Sequence, residues 1–391
     1  MSELRSGSNL EKVLKAGHFA LTGECGPPKG ANVKHLKEKG AHLVGMVDCV
    51  NVTDNQTAVV RMSSWAASLI LMQMGLEPNF QMVCRDRNRL AMQSDILGVY
   101  SHGVRNMLCL SGDHQKFGNH PESKNVFDLD SMQLIHLAKT MRDEGKFLNG
   151  EDIDERPRLF IGAAANPFAE PCEFRAHRLA KKIAAGADFI QTQCIFNMEK
   201  FREFMKQVVD MGLHEKCYIL AGLTPMKTLG MARYMAKFVP GMDVPDPLIE
   251  RLGGAGKGKV AEEGIKITLE QIEELKEMEG IAGIHLMAIE WEHRVRDRRT
   301  GRPAAKTRGL MISKRAPEKS FRTEATSHQI NHCKSDHRLA SLESRFSRIN
   351  SMSLLSPSLA EITVYPSSSS AIVITLRMPG SSSISRTFKP L

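Results

Sequence analysis

Cysteine is scarce in this chain, eight residues in 391, and no two of them form a CxxC pair. A zinc ribbon or a protein-held iron–sulfur cluster therefore has no support, and no metal site is expected. Cys25, Cys49, Cys84, Cys109 and Cys194 all fall in or at the ends of apolar runs, which reads as reduced core thiols and not as a disulfide framework. Long apolar runs are also missing. None approaches the roughly 20 residues needed to cross a bilayer, and the opening MSELRSGSNLEKVLKAG lacks the apolar stretch of a signal peptide. The expectation is a cytoplasmic protein with no membrane association. Most of the chain also lacks an excess of either charge: of 53 basic and 44 acidic residues, 18 and 6 lie between Arg294 and Leu391, leaving 35 against 38 for the rest. The basic balance is a property of the tail, and nucleic-acid binding is not expected of the remainder.

What the chain does have is one repeating event. Runs rich in Val, Ile and Leu stop at a polar or acidic residue: FALTGE at Glu24, HLVGMVDCVNVTDN around Thr53 and Asp54, NFQMVCRD, NMLCLSGD at Asp113, LFIGAAANP at Asn166, FIQTQ at Gln193, YILAGLTP, and IHLMAIEWE at Glu290. Helix-like stretches fill the gaps. EFRAHRLAKKIAAGA closes at Gly186, MEKFREFMKQVVDMGL at Gly212 and LEQIEELKEMEG at Gly280, each glycine placed to cap a helix before the next strand. TAVVRMSSWAASLILMQMGL reads as a longer, more apolar helix with methionine as core filler. About eight buried parallel strands alternating with helices predict an α/β (β/α)8 TIM barrel over residues 1–295, with its chemistry at the strand C-termini.

Four constellations sit where that chemistry is expected. Glu24 in TGECGPP ends the first strand before a Pro-Pro turn; in an apolar mouth such a carboxyl serves as a proton donor, while on position alone it also suits a cap of the next helix. In LSGDH, Gly112 permits close backbone approach and Asp113 lies beyond it, although Gly-Asp is also an ordinary turn. Gln191 and Gln193 alternate with Thr192 along one strand; a bidentate amide suits a pterin or flavin ring, or structural hydrogen bonding. GGAGKGK, Gly253 to Lys259, lacks the Ser or Thr of a phosphate loop and follows a helix-like segment, so it reads as a flexible basic loop.

Taken in order, GECGPPKG, NVTDN, CLSGDH, AANPFAEP, ITLEQIEELKE and GIHLMAIEWEHR resemble the catalytic barrel of the methylenetetrahydrofolate reductase family, over about Leu10 to Val295. The resemblance implies flavin-dependent reduction of 5,10-methylenetetrahydrofolate to 5-methyltetrahydrofolate, in one-carbon metabolism and methionine biosynthesis. It puts the general acid on Glu24, an aspartate near flavin and pterin on Asp113, flavin contacts on Thr53, Gly112 and Lys182, and a pterin-holding glutamine on Gln193. Gln81, Ser111 and Asn166 fall at flavin-site positions but depart from better-known bacterial members, which have His, Arg and Tyr there. Met231 and Met235 replace a polar and an aromatic group. The implied cofactor is FAD, with FMN as the alternative, and the electron donor NADH or NADPH. A reductase subunit fed electrons by an iron–sulfur partner is a second route, and a non-catalytic pterin-binding barrel a third. A homo-oligomer is expected.

From 296 to 391 the chain is rich in Ser and Arg, with SPSL, PSSSS and PGSSS, and is expected to be disordered. His328, His332, Cys333 and His337 have helical metal-ligand spacing that chance supplies in such a segment. The basic excess lacks interleaved aromatics for RNA. One set of codons for RDRRTGRPAAKT, Arg296 to Thr307, read one base later gives GIVERAGLLPRP, a helix and proline stop resembling the family's end. Resequencing the coding DNA should recover that phrase in the shifted frame; codons that do not yield it would dismiss the frame-shift origin of the tail.

Overall fold

The structure, a computed structural model, describes residues 4–239, 241–289, 291–297, 310–312, 361–366, 372–377 and 384–388. Eight parallel strands close into a barrel in chain order: β1 Ala20–Cys25, β2 Cys49–Val52, β3 Pro78–Val83, β4 Asn106–Leu110, β5 Phe160–Ala165, β6 Phe189–Cys194, β7 Tyr218–Leu223 and β8 Ile281–Leu286. All residues of β2 and β3 are buried, because the barrel interior takes one face of each strand and the helices cover the other. The seam is formed by β1, which pairs with β2 on one side and with β8 on the other, Thr22 lying opposite both Cys49 and His285. Gly283 is required there: a Cβ on it would stand 2.4 Å from the Ala20 carbonyl oxygen.

The helices are α1 Asn9–Lys15, α2 Lys34–Leu43, α3 Ser64–Met72, α4 Arg89–Ser101, α5 Ser131–Lys139, α6 Arg175–Ala185, α7 Met198–Asp210, α8 Leu229–Phe238, α9 Asp246–Gly254 and α10 Val260–Glu277. Gly186, Gly212 and Gly280 take positive φ after α6, α7 and α10, the stops their sequence positions predict. Three boundaries differ from the sequence reading. HLVGM is the end of α2 and its turn, the second strand starting only at Cys49. α3 starts at Ser64, because Thr57 and Ala58 are left-handed and Ser63 is extended. β8 ends at Leu286, before Glu290, which lies outside the described residues. GGAGKGK is the end of α9 and the connector to α10.

The N-terminal end of the barrel is plugged. Leu10 and Leu14 of α1 pack with Cys49, Leu108, Phe160, Phe189 and Leu220, the Phe160 and Phe189 rings stacking at 5.1 Å. A Cβ on Gly162 would lie 2.3 Å from the Phe189 ring, so the stack needs glycine there. Beside it, buried Asp188 accepts from Ile161 N–H at 2.8 Å and from the Arg142 guanidinium at 2.5 Å, and pairs with Arg5. The cavity lies at the opposite, open end.

The chain divides into two compact units, Met1–Lys319 and Ser320–Leu391. Beyond β8 the first contains a short parallel pair, β9 Val295–Asp297 with β10 Leu310–Ile312. In the second, β11 Glu361–Pro366, β12 Ile372–Arg377 and β13 Ile384–Phe388 form an antiparallel sheet. The physical reason is local: EITVYP and IVITLR carry enough β-branched residues for strands. His328, His332, Cys333 and His337 lie outside the described residues. No helix among the described residues is long and apolar enough to cross a membrane.

Removing Asp188 leaves Arg142 paired with Asp143 at 2.6 Å but takes the acceptor from the buried Ile161 N–H. Asp188→Ala should therefore lower unfolding free energy by about 1–3 kcal/mol in urea denaturation. A loss below about 1 kcal/mol would mean that the Ile161 N–H finds another acceptor in its absence.

Candidate active site

The open end holds a cavity of about 540 Å³ walled by the ends of β1 to β6 and β8 and by Met235, Val239 and Met242 from the α8 region. Strand-end residues reach it because side chains alternate along each strand, so inward positions two apart stack in layers down the interior. The upper layer includes Glu24, Thr53, Gln81 and Gln193; the layer beneath contains Thr22, Asn51, Asn79, Gln191 and His285. These five are buried and hydrogen-bonded to one another. Asn51 Nδ2 lies 2.6 Å from Gln191 Oε1 and 3.3 Å from His285 Nε2; Asn79 Nδ2 donates to Asn51 Oδ1 at 2.7 Å; His285 Nδ1 is 3.0 Å from Thr22 Oγ1. Glu24 stands above them, its side chain 17% exposed and Oε2 3.7 Å from His285 Nε2.

The rim from β2 to β4 is held by charge. Asp54 accepts from Val83 N–H at 3.0 Å and pairs with Arg87 at 2.6 Å; burial pushes its carboxyl up while the Arg87 charge opposes the shift. Thr53 bonds the Gln56 side chain. Asn55, Thr57 and Ala58 have φ of 41°, 56° and 56°, a conformation that costs non-glycine residues on the order of 1 kcal/mol or more each. Asp113 holds this loop, accepting from Thr57 N–H at 3.0 Å. Gly112 has φ 89°, which strains other residues, and a Cβ there would press on Val83 at 3.0 Å and Arg85 at 3.3 Å. Ser111 brings no charge to the wall, but Arg85, bonded through its backbone N–H to the Ser111 carbonyl, brings a guanidinium paired with Asp86 at 2.6 Å.

A smaller cavity of about 180 Å³ adjoins, sharing Ala164 and Gln193 with the larger and lined also by Asn166, Arg175, Arg178 and Lys182. Lys182 donates to the Ala164 carbonyl. Burial, with the Arg178 charge adding to it, brings its amine down to about 8. Three basic side chains around one small cavity are suited to an anion.

The structure thus brings Glu24, Thr53, Gln81, Ser111, Gly112, Asp113 and Gln193 to one cavity and Asn166 and Lys182 to the next. Met235 lines the larger cavity, whereas Met231 packs among apolar residues at α8 and α9. Sequence reasoning missed Asn51, Asn79, Arg85 and His285; of the two strand glutamines the resemblance singled out Gln193, which is exposed to the cavity, while Gln191 is buried in the interior network. The available signal was the period of two: Thr22, Asn51, Asn79 and Gln191 each lie two residues before a strand-end residue already singled out.

The family model for methylenetetrahydrofolate reductase matches residues 9–297. The chain is 22% identical over 256 residues to a probable methylenetetrahydrofolate reductase (NADPH) of Caenorhabditis elegans, covering 62% of this chain and 36% of that protein. With methylenetetrahydrofolate reductase 2 of Schizosaccharomyces pombe the identity is 24% over 208 residues, 52% of this chain and 31% of that one. The chain spans about a third of the length of these relatives. An uncharacterized protein from Clostridium thermocellum, which binds two copies of 5-methyl-5,6,7,8-tetrahydrofolic acid, shares the fold at a TM-score of 0.50 and 14% identity, over 74% of this chain and 97% of that one.

Lys182 offers a test of the smaller cavity. Its amine loses its proton near pH 8 when folded and near the ordinary lysine value of 10.5 when unfolded, so between these the unfolded chain binds more protons and stability rises with pH. Relative to Lys182→Met, the parent should gain up to about 3 kcal/mol between pH 7 and 10.5, measured by denaturant unfolding. A difference that stays constant would mean the folded amine is not displaced.

Proposed function

The chain belongs to the methylenetetrahydrofolate reductase family through residues 9–297, and on that premise we propose that it reduces 5,10-methylenetetrahydrofolate to 5-methyltetrahydrofolate with a flavin cofactor. The observation that carries this reading is the large cavity in which the Glu24 carboxyl group stands over a buried network of uncharged amides and a histidine. Its volume of about 540 Å³ lies within the roughly 300–1,000 Å³ of small-molecule sites. Its wall combines apolar Val83, Leu108, Leu110 and Met287 with amide and hydroxyl groups of Thr53, Gln81, Ser111 and Gln193, the mixture that a flat heterocycle with donors and acceptors on its edge requires.

A flavin fits these residues. Gly112 leaves the wall open where a Cβ would meet Val83 at 3.0 Å, and Arg175, Arg178 and Lys182 around the adjoining cavity suit a phosphate. When bound, the flavin would supply the hydride, drawn from NADH or NADPH. Thr53, Gln81, Ser111, Gly112 and Asp113 would hold its ring, and Asn166 and Lys182 its phosphate side. Gln193 would accept and donate along one edge of the pterin, orienting it. Glu24 would hold a proton at Oε2 and give it to the folate ring nitrogen, opening the five-membered ring so that the methylene carbon becomes an iminium able to accept hydride. Asp113 is engaged with the Thr57 N–H, so its carboxylate would be fixed in place beside both rings. The apolar wall would keep water from competing.

Glu24→Gln should retain flavin absorbance and its bleaching by NADPH or NADH, while folate reduction falls by at least about a hundredfold, the scale of losing a general acid. Reduction at the parent rate would remove Glu24 from that role. The same spectra sort the alternatives: flavin that neither nicotinamide bleaches would favour electrons arriving from a partner protein, and purified protein without flavin a non-catalytic folate-binding barrel.

A further inference from the structure

The QTQC segment that ends β6 does not run as a regular strand. Gln191 stands opposite Leu220 of β7 and Cys194 opposite Gly222, so two residues of β6, Thr192 and Gln193, face the single residue Ala221. That is a β-bulge, which bends a strand, re-aims its side chains and recurs beside active sites. The change of parity is visible in the side chains. Interior positions of a regular strand are two apart, yet here Gln191 and Cys194, three apart, both point into the interior. Gln191 bonds Asn51 and Thr22, and Cys194 Sγ lies 2.9 Å from Thr224 Oγ1. Gln193 is exposed, and it lines both the larger cavity and the smaller one.

Two features hold the bulge. The Thr192 hydroxyl bridges the strands, accepting from the Gly222 N–H at 2.8 Å and donating to the Gln193 carbonyl at 2.9 Å. Thr192 is buried, so water is badly placed to take over either bond. Gly222 makes the room: a Cβ on it would run into the Thr192 carbonyl oxygen and stand 2.8 Å from that of Gln193. The backbone from which the Gln193 side chain springs is therefore fixed from β7 by one hydroxyl group and one missing side chain.

The two glutamines differ in what is left to them. Gln191 spends both ends of its amide on Asn51 and Thr22, whereas no described residue bonds the side-chain amide of Gln193. We propose that Thr192 is a positioning residue for Gln193: its hydroxyl locks the β6 bulge that turns the Gln193 amide to the boundary of the two cavities, where it takes one edge of a flat, hydrogen-bonding ligand. An amide that both donates and accepts along such an edge works only over a narrow range of angles, so a small shift of its backbone is felt as affinity. The inference rests on the folate-reduction reading for the identity of that ligand, though not for the bulge.

Thr192→Val keeps the shape of the side chain and removes the hydroxyl, while Thr192→Ser keeps the hydroxyl. Binding of 5-methyltetrahydrofolate to the full chain, measured by titration calorimetry, should weaken about tenfold in Thr192→Val, the scale of one hydrogen bond, and stay within about twofold of the parent in Thr192→Ser. In a Gln193→Ala background Thr192→Val should cost nothing further, because its effect passes through the amide already removed. A loss that repeats in full on top of Gln193→Ala, or no loss in Thr192→Val at all, overturns the proposal and leaves Thr192 a support of the barrel. Should Thr192→Val not fold, Thr192→Ala takes its place in the cycle. Hydrogen exchange needs no ligand: amides of β6 and β7 should exchange faster in Thr192→Val than in Thr192→Ser, while those of β2 and β3 keep their protection. Equal exchange in the two variants would overturn the hydroxyl's hold on the bulge, whatever the chain binds. A parent that binds no 5-methyltetrahydrofolate, with the exchange difference present, would defeat the folate reading and uphold the lock.

Discussion

An amide buried inside a barrel has no water to turn to, so it must be satisfied by other side chains projecting into the same interior. In this protein that requirement falls on Asn51, Asn79 and Gln191, carried by β2, β3 and β6, with Thr22 and His285 facing each other across the seam between β1 and β8. None of the strands can slip by a residue without exchanging its interior side chains for helix-facing ones. The polar layer therefore does for register what a metal centre does in other folds. It also divides the interior: below it Phe160, Phe189 and the α1 leucines exclude water, and above it the cavity opens.

That division separates the work of the two ends. The N-terminal end carries the plug and the buried Asp188–Arg142 pair, interactions that stabilise the fold without facing the cavity. The C-terminal end carries the left-handed loop at residues 55–58, the buried Lys182 and the Asp54–Arg87 pair, each of which is unfavourable in isolation. Strain and buried charge are tolerated where the scaffold already fixes the backbone.

Much of the barrel was legible because its signal is repeated and local. Most apolar runs stop at a polar residue near a strand end, although β8 ends inside its run at Leu286, and each glycine stop follows a helix, so Glu24, Thr53, Asp113 and Gln193 stand out from their neighbours alone. The layer beneath was harder to read. Asn51 sits within CVNV and His285 within IAGIHL, and what makes them interact is barrel closure, which brings residues 234 apart in sequence to the two strands flanking β1. Arg85 was hidden for the opposite reason: it lies just beyond β3, where charges are common, and only the fold brings it beside Ser111.

The seam between β1 and β8 imposes an order on how the molecule is made. Thr22 and His285 are separated by 263 residues, so during synthesis β1 waits for β8 before it has both neighbours. At ordinary translation speeds that wait is on the order of tens of seconds, during which an unpaired parallel edge is open to other nascent chains. Demand for chaperones should therefore track the speed of translation through this stretch more closely than the stability of the finished barrel.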